Sequence, residues 1–215
     1  MSPPRTTARQ HKPTPQESAL PFAGMSAPVD QLPYTGNPDS DRLLAQNPLA
    51  LLIGFALDQQ VTLQKAFSGP ADLRSRLGHL DAARIATMDP DELAEVFRRP
   101  PALHRFPGSM AGKVQGLCSA VATTYDNDAG RIWRDAESGA EIRRRLLDLP
   151  GFGDMKVATL LAVLSKQLGV NPPGMAEVLP ARQTLGDARS AADVAAYQAA
   201  KRAYKAELRA QGKAR

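Results

Sequence analysis

The chain has 215 residues with 27 Lys and Arg against 22 Asp and Glu, a formal charge of +5 and a sequence pI near 9.6. That length suits one domain or two small lobes sharing a core. The single cysteine, Cys118, excludes an intrachain disulfide and a cysteine-ligated iron–sulfur or Cys-rich zinc site, which need several thiolates. The basic excess permits a polyanion partner, and fits a merely solvated basic surface equally well.

Residues 1–40 hold eight of the 18 prolines with Ser, Thr and Gln between them, and are expected to be a disordered tail in which only Leu20-Pro21-Phe22 would dock. Structure is expected from Asn47, an N-cap followed by Pro48 at the first helical position. Leu51, Leu52, Phe55 and Ala56 then make an apolar stripe at helical spacing, running into Asp58-Gln59-Gln60. A helical piece from Leu63 to Phe67 is expected to stop at Gly69-Pro70, and two short helices follow, Ala71–Leu77 and Ala82–Ala86. Asp89-Pro90-Asp91-Glu92 has the pattern of a capping box, and the helix it opens ends at Pro100-Pro101. Residues 109–125 read as a longer helix with Val114, Leu117, Cys118 and Val121 on one side.

Ser138-Gly139-Ala140-Glu141 is a second capping-box pattern. Its helix places Ile142, Leu146 and Leu147 inward and Arg143 to Arg145 largely outward. Met155–Leu168 is the next helix, closed by Gly169, and Asn171-Pro172-Pro173-Gly174 breaks the pattern. A last helix, about Ala191–Ala210, sets Val194, Tyr197, Tyr204 and Leu208 on one side, and from it to the chain end there are six basic residues against two acids. No strand pattern persists, so the expected class is all-α. No stretch is long and apolar enough to span a bilayer, and the reading is a cytoplasmic monomer with no membrane partner.

Between the last two long helices but one lies Leu149-Pro150-Gly151-Phe152-Gly153. Two helices joined by a turn with Gly-x-Gly make a helix–hairpin–helix, here 138–168. Glycines there can take positive φ and let backbone N–H groups approach a ligand beside a helix start, where an anion is favoured. A phosphate is the natural guest, although such a turn also serves as a plain connection between packed helices. This hairpin resembles that of the helix–hairpin–helix DNA glycosylase superfamily, the relatives of endonuclease III. Asp58-Gln59-Gln60-Val61-Thr62 resembles the Ser-x-Gln-x-Thr that closes an early apolar helix in that family, and residues 103–113 match the loop and helix that line the far side of its cleft; with Leu57–Val61, Ala102–Ala111 and Leu149–Gly153 the chain looks like a small bacterial branch of it. The resemblance covers about residues 45–175.

The resemblance implies a two-lobed helical fold, with 41–168 as a helical lobe ending in the hairpin and 169–215 packing on the second lobe. It implies a base-excision repair protein, associated with the nucleoid, that binds double-stranded DNA, flips a damaged base and cleaves its N-glycosidic bond. It assigns the backbone grip to Gly151, Phe152 and Gly153 and the wedge to Gln60 beside Gln59. His104, Arg105 and Lys113 would contact phosphate or the extruded base. It suggests a monovalent cation on the hairpin carbonyls and no other cofactor. The family's catalytic aspartate, however, has no counterpart. The matching window offers only Glu177, a few residues late, and Asp58 is the other candidate carboxylate. The lyase members' lysine falls on Met155; Lys156 stands one residue further, turned by about 100° in a helix. Lys156 is thus either a nucleophile or a phosphate contact. The other reading is a non-catalytic protein that recognises damaged or bent DNA with the same fold.

Overall fold

The computed structural model describes residues 28–210, and among them every regular element is helical. The expected all-α class holds. No helix among the described residues is long and apolar enough to cross a membrane. Residues 1–27, including Leu20-Pro21-Phe22, lie outside the description, as do the side chains of Tyr204 and Leu208.

The fold starts earlier than Asn47. Leu32 and Tyr34, read as tail, are buried, and α1 runs Pro38–Gln46 behind an Asn37 cap that accepts from the amides of Asp39 and Ser40. Pro33 lies between the two and Pro38 starts α1, and both leave these large apolar side chains free to insert. Asn47 then acts twice. Its N–H closes α1 on Leu43, and its side chain accepts from Ala50 at 2.9 Å to open α2, Pro48–Leu57.

α2 is the axis of the first half. The expected stripe is an underestimate, because every residue from Leu49 to Leu57 is buried. A helix apolar all round has to be covered all round. α1, α3 (Leu63–Leu77) and α6 (Pro107–Thr124) cover it, while α4 (Ala82–Ala86) and α5 (Pro90–Arg98) pack on α6. Phe67 of α3 meets Tyr34 and Phe55 edge to face, with centroids 5.1 and 5.2 Å away.

α3 passes straight through the expected break at Gly69-Pro70. Pro70 withholds one N–H, a cost of about 3 kcal/mol in a helix interior. Phe67 and Leu73 on the same helix are buried, each contributing about 1.5–3 kcal/mol, so continuing the helix wins. Asp89 and Ser138 cap their helices as expected: Asp89 accepts from Asp91 and Glu92, and Ser138 from Glu141. The return half of the second box is absent, since Glu141 accepts from the Glu137 amide instead.

The second group comprises α7 (Arg131–Arg134), α8 (Gly139–Leu147), α9 (Asp154–Lys166), α10 (Met175–Val178), a 3-10 turn at Leu185–Asp187 and α11 (Ala191–Ala210). α8 and α9 pack as a hairpin pair. The 3-10 turn lies on α9 so closely that a Cβ at Gly186 would sit 2.8 Å from the Val163 nitrogen. Two links tie this group to the first. In one, the Tyr34 hydroxyl donates to Gln167 while the Gln167 amide donates to Ala188, and the Val29 amide bonds the Gln167 carbonyl at 2.9 Å. In the other, α11 returns to the α2–α3 turn, where Gln198 Nε2 donates to Gln64 Oε1 at 3.0 Å.

Gly54 tests the central packing. A Cβ there would lie 2.7 Å from Cδ1 of the immobile Phe67 ring. Gly54→Ala gains helix propensity of up to about 1 kcal/mol yet overpacks the core at a cost of about 1–3 kcal/mol. Urea unfolding is expected to show net destabilisation, with the midpoint lowered and the slope unchanged.

Candidate nucleic-acid interface

The turn after α2 fixes the first part of the site. Asp58 caps the helix, Gln59 follows, and Gln60 takes a left-handed conformation at φ 57° with its side chain exposed. Gln59 is committed inside the protein: Nε2 donates to the Ala56 carbonyl at 2.8 Å, and Oε1 accepts from Lys113 Nζ at 2.7 Å. Of the two glutamines only Gln60 is free to project.

His104 corrects an expectation. Its ring is 1% exposed and does not face a ligand. Nδ1 accepts from the Phe106 amide at 3.0 Å, so the proton is on Nε2, which donates to the Gln59 carbonyl at 2.9 Å. Burial pushes its pKa below the ordinary imidazole value. His104 is a neutral strut that bolts the 58–60 turn to the start of α6. Its neighbours remain available: Arg105 is exposed and stacks over the Phe106 ring at 5.2 Å, and Phe106 is itself 40% exposed.

The hairpin is a tight turn between α8 and α9. The Phe152 amide bonds the Leu149 carbonyl at 3.2 Å across Pro150 and Gly151, with Gly151 at φ 79°. Pro then left-handed Gly is the residue pattern of a type II turn. Gly153 is different. At φ −94° and ψ 171° it is ordinary extended backbone, so no left-handed requirement explains it, and a Cβ there would meet nothing within 4 Å. Phe152 is buried with its amide used in the turn, so neither its ring nor its N–H is presented to a ligand, contrary to expectation. The amides of Gly151, Gly153, Asp154 and Met155 meet no acceptor among the described residues. The carbonyls of Leu149 and Gly153 accept chain amides, and the Asp154 carboxylate is held by Arg143.

Lys156 rises from the third position of α9, with its ammonium 5.0 Å from the centre of the Phe152 ring. Burial lowers its pKa from 10.5 to about 8; nearby Asp58 opposes the shift, and Lys113 and Lys201 add to it. Four charged groups from four elements thus share one neighbourhood. Asp58 pairs with Lys201 at 3.4 Å, and no carboxylate lies within ion-pair distance of Lys156 among the described residues. Glu177 does not join them. It is exposed on α10, which packs at Gly139, the end of α8 opposite the hairpin. Nine residues of helix separate those ends by about 13 Å.

A cavity of about 330 Å³ lies elsewhere, lined by Tyr125, Arg131, Arg144 and Arg145 among others. Its arginines are all engaged: Arg131 with Asp126 and Asp135, Arg144 with Asp148, and Arg145 with Glu141. It presents no free cation among the described residues, and of the hairpin it touches only Leu149. Cys118 is buried, with its thiol pKa pushed up to about 12, and is unreactive. No group of His, Cys, Asp and Glu suited to a metal occurs among the described residues.

No family model matches the chain, and neither does any curated protein or solved structure.

The His104 strut has a pH signature. Its folded pKa is depressed, so the unfolded state binds the proton more readily, and stability is present above the unfolded value of about 6.5 and lost as pH falls below it. Protonating Nδ1 would also break the Phe106 bond. His104→Gln is expected to be less stable than wild type at pH 7.5, and to lose less on going from pH 7 to 5.5, as measured by urea unfolding at each pH.

Proposed function

We propose that this protein binds double-stranded DNA at the 149–156 hairpin and acts on a damaged nucleotide as a DNA glycosylase, with Lys156 as its nucleophile. The observation that carries the reading is Lys156 itself: a lysine with its pKa lowered to about 8, carried on the same short segment as four open amides. A lysine with a depressed pKa is what amine nucleophiles require, because the neutral amine attacks. Near neutral pH such a group is neutral far more often than a lysine at the ordinary value.

The hairpin supplies position. Amides of Gly151, Gly153, Asp154 and Met155 at a helix start suit a DNA phosphate, without regard to base sequence. Glycine at 153, unexplained by internal packing, leaves room for a backbone to come close. Gln60 projects from the strained turn as a wedge, and exposed Arg105, Phe106 and Lys113 extend the surface. Lys113, Lys156 and Lys201 outnumber Asp58, so the neighbourhood attracts a polyanion.

In the chemical step the Lys156 amine attacks C1′ of the flipped nucleotide. The C1′–N bond breaks, its electron pair leaves with the base, and the base takes up a proton. The amine loses a proton, and ring opening passes one to O4′, which leaves an imine between Nζ and C1′. Asp58 is held by Lys201 and Glu177 is too remote, so the step relies on the Lys156 amine with no carboxylate at the sugar.

The second reading, a non-catalytic DNA-binding protein, is favoured by one observation: Asp58 is occupied by Lys201 rather than open to a substrate.

Duplexes with single lesions (uracil, hypoxanthine, oxidised guanine, alkylated adenine, thymine glycol or an abasic site) test the reading, each reaction being divided and half treated with hot alkali. Breaks without alkali on at least one duplex, and a borohydride-trapped adduct absent in Lys156→Ala, are the expected results. Base release surviving in Lys156→Ala would remove the nucleophile role. Binding without release from any duplex would leave the non-catalytic reading. In either case affinity should fall steeply with salt.

A further inference from the structure

α11 lies outside the segment that resembles the glycosylase family, yet it reaches the site. One face of it carries Tyr197, Gln198 and Lys201 onto the α2–α3 turn. Val194 of the same helix is buried, Gln198 donates to Gln64 at 3.0 Å, and Lys201 Nζ meets Asp58 Oδ2 at 3.4 Å. The Lys201 ammonium also lies 5.8 Å from the centre of the Tyr197 ring. The helix is therefore docked by packing, an amide pair and an ion pair together.

We propose that Lys201 is a positioning residue of the site, which holds the Asp58 carboxylate to itself and so leaves the Lys156 amine without a carboxylate partner. This rests on the reading of Lys156 as the nucleophile. A carboxylate and an ammonium that share a half-buried space pair unless a third group intervenes. Lys201 intervenes from α11, and it adds a like charge of its own. Among the described residues, the charges that act on Lys156 are Asp58 from the end of α2, Lys113 from α6 and Lys201 from α11; on α9 itself, Asp154 is turned to Arg143. Lys113 is occupied by Gln59 Oε1 and is not free to take Asp58.

Removing the Lys201 charge has two effects of the same sign. It deletes a repulsion on protonated Lys156 and frees Asp58 to pair with it. Both favour the ammonium form, so Lys156 should titrate at higher pH. A purely structural role for Lys201 predicts no such shift.

The test is competitive acylation of the full-length protein across pH 6.5–10.5, with the extent at Lys156 read by mass spectrometry. Wild type, Lys201→Met and Lys201→Arg are compared. The Lys156 midpoint is expected to rise by about half a pH unit or more in Lys201→Met and to stay at the wild-type value in Lys201→Arg, which keeps the charge. An unchanged or lowered midpoint in Lys201→Met would overturn the proposal, as would an equal rise in both variants. The labelling needs no DNA, so it is independent of the lesion assays. A midpoint that rises as expected in a protein that never traps an abasic duplex would leave Lys201's role standing and remove the nucleophile reading.

Discussion

Everything in the candidate site hangs on the complete burial of α2. A ten-residue helix with nine buried positions has no solvent face on which to slide or rotate. Its C-terminus is therefore delivered to one place, and the next three residues inherit that precision. His104 fixes the carbonyl of Gln59, Lys113 fixes its side chain, and Lys201 fixes Asp58. The left-handed Gln60 is held in its uncommon conformation by anchored neighbours. Across from this turn, the Leu149–Phe152 bond and the buried Phe152 ring give the hairpin an equally firm base.

The electrostatics follow from that placement. Burial alone penalises charge on Lys156, and two further lysines deepen the effect while the lone carboxylate is held by one of them. The same charges that depress the lysine would draw in a phosphate backbone. Under the proposed function, binding and activation would depend on one set of residues, and a neutralising substitution in the cluster would disturb both. The cavity near Tyr125 shows the contrast: its arginines are matched by carboxylates at short range, and a matched surface has little pull on a polyanion.

How much of this was legible in the sequence depended on how local the cause was. Asn47-Pro48, Asp89-Pro90 and the Pro150-Gly151 turn declare themselves because a cap or turn is decided within four residues. The passage of α3 through Pro70 was hidden, since it is decided by Phe67 and Leu73 meeting a distant core. Leu32 and Tyr34 were masked by surrounding prolines, which mark the absence of a helix and not the absence of burial. His104 needed a partner 45 residues away to become a strut, and Lys201 a partner 143 residues away to become part of the site. Lys156 was visible by position alone; its environment came from three other elements. Glu177 came from its place in the window that the resemblance marks, and the length of α9 carries the chain back to the end of α8 opposite the hairpin.

In the proposed function, DNA would lie across the hairpin and the turn after α2. Amide hydrogen exchange with and without a duplex carrying a tetrahydrofuran abasic analogue measures this directly. Slowed exchange is expected at the open amides of Gly151, Gly153, Asp154 and Met155, together with residues 58–62. Unchanged exchange there, with protection instead around Arg131–Arg145 or none at all on a duplex shown to be bound, would contradict it.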